Sequence, residues 1–296
     1  MAACTRCSGA AVFSPPLLCE RHFFSLVEGK VSAALQRFSL IRDGERVAVA
    51  VSGGKDSQTT LFLLHRLFGE RATGIAIDEG IPHYRDQTLA DLRHFCMQYG
   101  ILFRVLSFRE AFGVELEGLL ARGASACRSC GVLRRSLLNQ GAAGFDKLAT
   151  GHNLDDECQS ALMNFLKGTL FLCAKLGPVS GISPQEGFTR RVKPLFFCSE
   201  KEVAAYAFLR KFPVRFKECP HAEGSFRSRV RDALNLLEHE MPGSKLQIAE
   251  RFLSFLPLLK EQFADARAGR CMSCGSPAAR ERCKACETLL VVPNAA

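Results

Sequence analysis

Apolar residues in the first two-thirds of the chain come in two alternating periods. Short runs of β-branched and small apolar residues (Val47 to Val51, Thr73 to Ile77, Leu102 to Leu106, Lys147 to Thr150) read as strands, each followed by a polar or glycine-containing turn. Between them the spacing lengthens to a helical repeat, which predicts helices over Phe24 to Phe38, Ser57 to Phe68, Asp86 to Tyr99, Gly131 to Gln140 and Leu154 to Leu166. Strand and helix in alternation predict an α/β fold, a doubly wound parallel sheet with helices on both faces. After Pro194 the alternation fades. Ser199-x-x-Glu202 has the form of a capping box opening a helix through Lys211, and helices follow over Ser225 to His239 and Ser244 to Phe263, with Met241-Pro242-Gly243 between them. Gly177 to Gly187, rich in Gly, Pro and Ser, reads as a loop.

In such a sheet ligands bind beyond the carboxyl ends of the strands. Three turns, Ser52 to Ser57, Asp78-Glu79-Gly80 and Gly151-His152-Asn153, are therefore expected to open onto one crevice. The first is the most telling. Ser52-Gly53-Gly54-Lys55-Asp56-Ser57 joins a buried strand to a helix start, where main-chain N–H groups and the helix dipole together favour a phosphate. Walker A requires four residues between its first glycine and the Gly-Lys pair, and none intervene here. S-G-G-x-D-S resembles instead the pyrophosphate loop of ATP pyrophosphatases, which implies cleavage of ATP between the α and β phosphates.

The chain has 296 residues with 47% apolar content, enough for a globular interior, and 39 Lys and Arg against 30 Asp and Glu. A formal charge of +9 suits an anionic partner such as nucleic acid. No apolar run approaches the ~18 residues of a membrane span, and Met1 to Cys7 lacks a signal-peptide core, so the expected location is the cytoplasm. There the redox poise keeps the fourteen cysteines as thiols and metal ligands rather than disulfides.

Their spacing agrees with metal ligation. Cys4-x-x-Cys7 with Cys19-x-x-His22, eleven residues apart, and Cys271-x-x-Cys274 with Cys283-x-x-Cys286, eight apart, each supply four soft ligands for a structural Zn²⁺. Two zinc ribbons are thus expected, over 1–23 and 268–296, flanking an ATPase domain over 24–267 that turns helical from about 199. Either ribbon could also touch RNA. Cys127-Arg128-Ser129-Cys130 has no second pair nearby; with Cys219 it offers three thiolates for a 4Fe-4S cluster with one open iron, while a third zinc site and a redox pair remain alternatives. Cys96, Cys158, Cys173 and Cys198 read as small buried apolar residues.

The ordered set C-x-x-C…C-x-x-H, V-A-V-S-G-G-K-D-S, C-x-x-C-G, A-T-G-H-N-L-D-D-E, E-C-P and C-x-x-C…C-x-x-C, running from Cys4 to Cys286, resembles the TtuA-type tRNA 2-thiouridine synthetases, relatives of the wobble-uridine thiolases. The resemblance implies an ATP-dependent tRNA uridine 2-sulfurtransferase. It adenylates the uridine C2 oxygen and replaces it with sulfur presented by a 4Fe-4S cluster on Cys127, Cys130 and Cys219. It further implies a ubiquitin-like thiocarboxylate sulfur donor and a homodimer. Ser52, Gly53, Gly54, Asp56 and Ser57 would bind phosphates, Lys55 would neutralise charge, and Ala50 and Ile77 would contact adenosine. Gly151 would allow close approach of the nucleotide, and Asp156 would act near the uridine or hold Mg²⁺.

Arg134 stands where the family typically carries lysine. It retains the charge but cannot serve as a neutral base. The T-loop uridine is the first expectation for the target, the wobble uridine the second and an anticodon-loop cytidine the third. An ATP-dependent ligase or amidating enzyme on the same loop would need no cluster. For RNA contact the candidates are Arg190, Arg191, Lys193, Arg210, Lys211, Arg215, Lys217, Arg227, Arg229 and Arg231. Asp155, Asp156 and Glu157 all stand in one helical first turn, where the dipole alone favours acids, so at least one of them is expected to be structural.

Overall fold

The computed structural model describes residues 2–215, 219–221, 226–264 and 269–290. Its centre is a sheet of β1 (Val47–Val51), β2 (Ala72–Asp78), β3 (Phe103–Ser107), β4 (Lys147–Thr150) and β5 (Arg190–Val192), ordered β3-β2-β1-β4-β5 with every pairing parallel. The first four strands match the sequence expectation to within a residue or two. The fifth was not anticipated, because three residues with two arginines carry no apolar period; as an edge strand it needs none.

Helices α1 (Glu20–Arg37), α2 (Lys55–Phe68), α3 (Arg85–Tyr99), α4 (Phe108–Phe112), α5 (Leu116–Leu120), α6 (Ala126–Gly141) and α7 (Leu154–Leu166) alternate with the strands. A second helical group follows: α8 (Leu170–Cys173), α9 (Glu200–Leu209), α10 (Phe226–Glu240) and α11 (Ser244–Gln262). The chain ends in the antiparallel pair β6 (Gly269–Arg270) and β7 (Pro277–Ala278), then α12 (Lys284–Leu290), which packs on α6. Among the described residues no helix is long and apolar enough to cross a membrane.

Period-two alternation along β1 separates two cores. Val47, Val49 and Val51 join α1, α2, α3 and α9 on one face, and Ala48 joins Ile75, Ile77, Leu148 and the apolar side of α6 on the other. The chain leaves β1 for β2 on one side and returns through β4 on the other, so the loops after β1 and β4 diverge over a shared crevice. The four isolated cysteines are buried, with Cys96, Cys158 and Cys198 pushed up to about 12 by burial, as inert core thiols should be.

The second helical group is tied to the sheet by buried charge. Lys245 on α11 meets Asp155 on α7 and, at 2.6 Å, Asn235 on α10, while the second Asp155 oxygen accepts from the Glu200 N–H at 2.8 Å. Both side chains of the ion pair are more than nine-tenths buried. Lys245→Met should cost about 3–5 kcal/mol, because it strands the Asp155 carboxylate. Urea denaturation checks this, and Lys245→Met/Asp155→Leu should recover most of the loss.

Candidate nucleotide and thiol site

The chain turns sharply after β1. Gly53 adopts φ +87°, and a Cβ there would stand 2.9 Å from the Thr88 carbonyl, so the turn needs glycine sterically as well as conformationally. Ser57 Oγ accepts from the Ser52 N–H at 3.1 Å and donates to the Gly54 carbonyl at 2.9 Å, which closes the loop over the first turn of α2. Gln58, fully buried, holds the Gly53 carbonyl at 3.0 Å. With these carbonyls engaged inside, the free N–H groups at the start of α2 are left for an anion.

A cavity of about 910 Å³ opens here, large enough for a nucleotide and part of a second substrate. Ser52, Gly54, Asp56 and Ser57 line it together with Ala50 and Ile77 at the strand ends, Gly151, Asp156, Glu79 and Arg134. Gly53 and Lys55 do not. The Lys55 ammonium bonds instead to Asp56 at 2.9 Å and Glu200 at 3.1 Å; burial alone would lower its pKa, and the two carboxylates hold it above the ordinary value.

Gly151 abuts the loop directly. A Cβ on it would lie 2.9 Å from both the Asp56 carbonyl carbon and the Ser57 nitrogen. Two residues on, Asn153 joins the cavity acids: its side-chain amide donates to Asp56 at 3.0 Å, its N–H donates to Asp156 at 3.2 Å, and its side-chain oxygen caps α7 by accepting from the Asp156 N–H at 3.1 Å. Burial raises the pKa of both Asp56 and Asp156, and the Asp156 charge adds to the rise at Asp56. Asp56 and Asp156 are half-buried and face Lys55 and Arg227 as counter-ions, and two carboxylates so placed on one cavity fit the donor set of a hard divalent cation. Of the neighbouring acids, Asp155 is bound to Lys245, and Glu157 to Lys193 at 2.5 Å and to the Gly177 N–H at 3.1 Å, so both are structural.

The C-x-x-C pair lies inside α6, in its first two turns, rather than ahead of a helix starting at Gly131. Cys127 Sγ donates to the His221 carbonyl at 3.3 Å, and the His221 ring meets Glu117 of α5 at 2.8 Å, so residues 219–221 are pinned against the start of α6. Burial raises the pKa of Cys130, Arg134 opposes the rise, and the charges of Glu79 and Cys219 add to it. Arg134 Nη2 reaches Cys130 Sγ at 3.6 Å and Glu79 at 2.5 Å.

The terminal cysteine sets are drawn tighter. Cys4, Cys7, Cys19 and His22 gather their ligand atoms within 4.8 Å of one another, as do Cys271, Cys274, Cys283 and Cys286. The Cys7–Cys19 and Cys274–Cys283 sulfurs stand 3.6 Å apart, close to the ~3.8 Å that 2.3 Å bonds to one tetrahedral ion require. N–H groups led by that of Cys283 pull the Cys271 thiol down to about 6, the charge state a metal needs. His22 stands on α1, so the first set passes directly into that helix. The three thiols at 127, 130 and 219 are not gathered this closely.

Most basic candidates have partners within the protein. Arg210 bonds to Glu28 at 3.1 Å and stacks on Phe24, Arg215 pairs with Asp91 at 2.5 Å, Lys193 with Glu157 and Arg231 with Asp232. Arg227 reaches Asp156 at 3.3 Å and Gln159 at 3.0 Å. Lys217 lies outside the described residues. Arg190 and Arg191 line the cavity, where burial first and Arg135 second lower Arg191 to about 10. His152 is held neutral at about 4 by desolvation and then by Lys193, and its Nδ1 sits 2.9 Å from Thr150 Oγ1.

Arg85 is the residue that sequence reasoning missed. Its Nη1 donates to the Ser52 carbonyl at 2.6 Å and its Nε lies 3.0 Å from Glu79. The available signal was a cation in the first turn of α3, where the helix dipole disfavours one.

A parallel α/β sheet with a glycine loop and helix N-terminus at its switch point defines a nucleotide-binding protein of the pyrophosphatase-loop class. A family model described as a PP-loop domain matches residues 27–237. The tRNA-5-methyluridine(54) 2-sulfurtransferase of Thermus thermophilus is 36% identical over 91% of this chain and 84% of its own length. The Pyrococcus horikoshii protein of the same name is 34% identical over 96% and 91%. Among solved structures, the U34-tRNA thiolase NcsA of Methanococcus maripaludis with its [4Fe-4S] cluster superimposes with a TM-score of 0.76 at 32% identity, covering 86% of this chain and 88% of that one. The chain therefore belongs to the family of PP-loop tRNA 2-thiolation enzymes.

Proposed function

We propose that the protein uses ATP to activate the C2 oxygen of the T-loop uridine of tRNA and then exchanges that oxygen for sulfur. One observation carries the reading: the phosphate loop and Arg134, which touches the Cys130 sulfur, line the same cavity. Ser52, Gly54 and Ser57 seat the phosphates of ATP against the start of α2. Asp56 and Asp156 are the residues that would hold Mg²⁺, and Asn153 bonds to both. Ala50 and Ile77 receive the adenosine. The uridine C2 oxygen attacks the α phosphorus and pyrophosphate leaves; sulfur then bonds to C2 and the oxygen departs with AMP, a far better leaving group than the carbonyl oxygen it replaces.

Cys127, Cys130 and Cys219 are the residues that would hold a 4Fe-4S cluster. Such a cluster supplies a sulfur that stays nucleophilic at neutral pH. Arg134 stabilises negative charge beside that sulfur and, as a guanidinium, moves no proton. Arg190 and Arg191 face the tRNA from the cavity wall. The family resemblance supports a ubiquitin-like thiocarboxylate donor, a homodimer and a cytoplasmic setting.

The two relatives that act on position 54 support the T-loop target. The wobble uridine is the second reading, supported by the U34 thiolase with the matching fold. Mass spectrometry of tRNA nucleosides from a deletion strain separates them: loss of the 2-thio derivative of the T-loop uridine is expected, loss of wobble 2-thiouridine favours the second reading, and an unchanged profile overturns both.

The terminal sets each hold Zn²⁺ in this reading. A strong chelator with a thiol-reactive reporter should release two zinc ions per chain, and limited proteolysis should then attack both termini first. Release of one ion or none contradicts this assignment.

A further inference from the structure

Glu79 lies at the carboxyl end of β2 and is 2% exposed, yet it carries a carboxylate between two guanidinium groups. One oxygen stands 3.0 Å from Arg85 Nε and the other 2.5 Å from Arg134 Nη2. Arg85 is itself 3% exposed, and its Nη1 donates to the Ser52 carbonyl at 2.6 Å, with a further bond to Thr88 at 3.2 Å. Arg134 extends the chain of contacts to Cys130 Sγ at 3.6 Å. A single carboxylate thus stands between the peptide that orients the phosphate loop and the cation beside the sulfur. Neither arginine reaches both ends alone.

We infer that Glu79 is a positioning residue shared by the two halves of the reaction, setting the phosphate loop through Arg85 and the cation at the Cys130 sulfur through Arg134. The inference rests on the sulfur-transfer reading for its second half only. Holding the Ser52 carbonyl inward turns the following N–H groups toward the phosphates, so loss of the hold loosens the nucleotide before any chemistry occurs. Arg134 without its carboxylate keeps its charge and loses its fixed place, so the later step slows while nucleotide affinity is kept. Without Glu79, buried Arg85 would also lose the carboxylate that compensates its charge. Both contacts of Arg134 run through the single nitrogen Nη2, so the carboxylate that fixes this nitrogen also fixes its place beside the sulfur.

The test uses Glu79→Gln, Arg85→Gln, Arg134→Gln and the double variant Glu79→Gln/Arg134→Gln. Titration calorimetry with α,β-methylene-ATP gives the Kd, and single-turnover thiolation at saturating ATP gives the rate. Arg85→Gln should weaken Kd about tenfold and leave the saturated rate within about twofold; Arg134→Gln should do the reverse, and Glu79→Gln should do both. The double variant should be no slower than the slower of its parents, since both changes break one contact chain. A Glu79→Gln protein changed in neither quantity or in one only, or a double variant whose losses multiply, overturns the inference.

If Glu79→Gln does not fold, the double variant, which removes one uncompensated cation with it, takes its place. It should then show the rate of Arg134→Gln with the Kd of Arg85→Gln, and any other pairing overturns the inference. A wild-type protein that binds the analogue and thiolates nothing refutes the functional reading, and the Kd arm still decides the hold of Glu79 on the loop.

Discussion

Gly151→Val is expected to weaken nucleotide binding about a hundredfold in a chain that still folds. The added Cβ falls 2.9 Å from the Asp56 carbonyl carbon and the Ser57 nitrogen and 3.0 Å from the Asp56 oxygen, all main-chain atoms that no side-chain rotation can move aside. Either β4 or the start of α2 must retreat, and the N–H groups that face the phosphates move with it. Weakening of about a hundredfold, equivalent to about 2.8 kcal/mol, is expected for α,β-methylene-ATP by titration calorimetry. Gly151→Ala should cost about tenfold. Melting curves will distinguish local from global damage, since Gly151 belongs to a loop at the cavity and not to either core. A Gly151→Val protein with a Kd within twofold of wild type contradicts the assignment of this crevice to the nucleotide.

Cys219→Ser should separate the two halves of the reaction. Serine offers a hard, protonated oxygen where an iron centre takes a soft thiolate, so cluster incorporation should collapse. Anaerobically prepared protein should lose its brown colour and most of its iron. Thiolation should fall by more than a hundredfold, beyond the ten- to hundredfold expected when only a neighbour of a ligand is disturbed. ATP-analogue affinity should stay within about twofold, because the proposed phosphate site is the β1–α2 turn and does not include 219–221. Iron analysis beside nucleoside analysis reads both effects, and a colourless wild type, or a brown and active variant, refutes the three-cysteine centre.

The β1–loop–α2 unit was legible because its strand is wholly apolar, its turn needs glycine and its helix follows at once. The parallel sheet and four of its strands followed from the alternation of periods, and the capping box of Ser199 and Glu202 formed as expected at the start of α9. Other features depend on distance in space, which local pattern does not carry. The start of α6 was placed five residues late, since Ser125 makes no side-chain cap and Gly131 looks like a boundary. The basic stretches at 210 and 215 pair with Glu28 and Asp91, each more than a hundred residues away in sequence, and local pattern shows neither partner. Lys55, expected among the phosphates, is engaged by Asp56 and Glu200. Glu79 and Arg85 show the same limit most clearly: each is an ordinary polar residue after a strand or at a helix start, and only the fold buries them against each other.

The most direct measurement follows the oxygen. Thiolation of a tRNA carrying oxygen-18 at C2 of the target uridine, with the AMP recovered and weighed by mass spectrometry, tests whether ATP activates the base itself. The account predicts one labelled oxygen in AMP for each sulfur gained by the base. Unlabelled AMP, formed in step with thiolated tRNA, would show that ATP activates some other group and would contradict it.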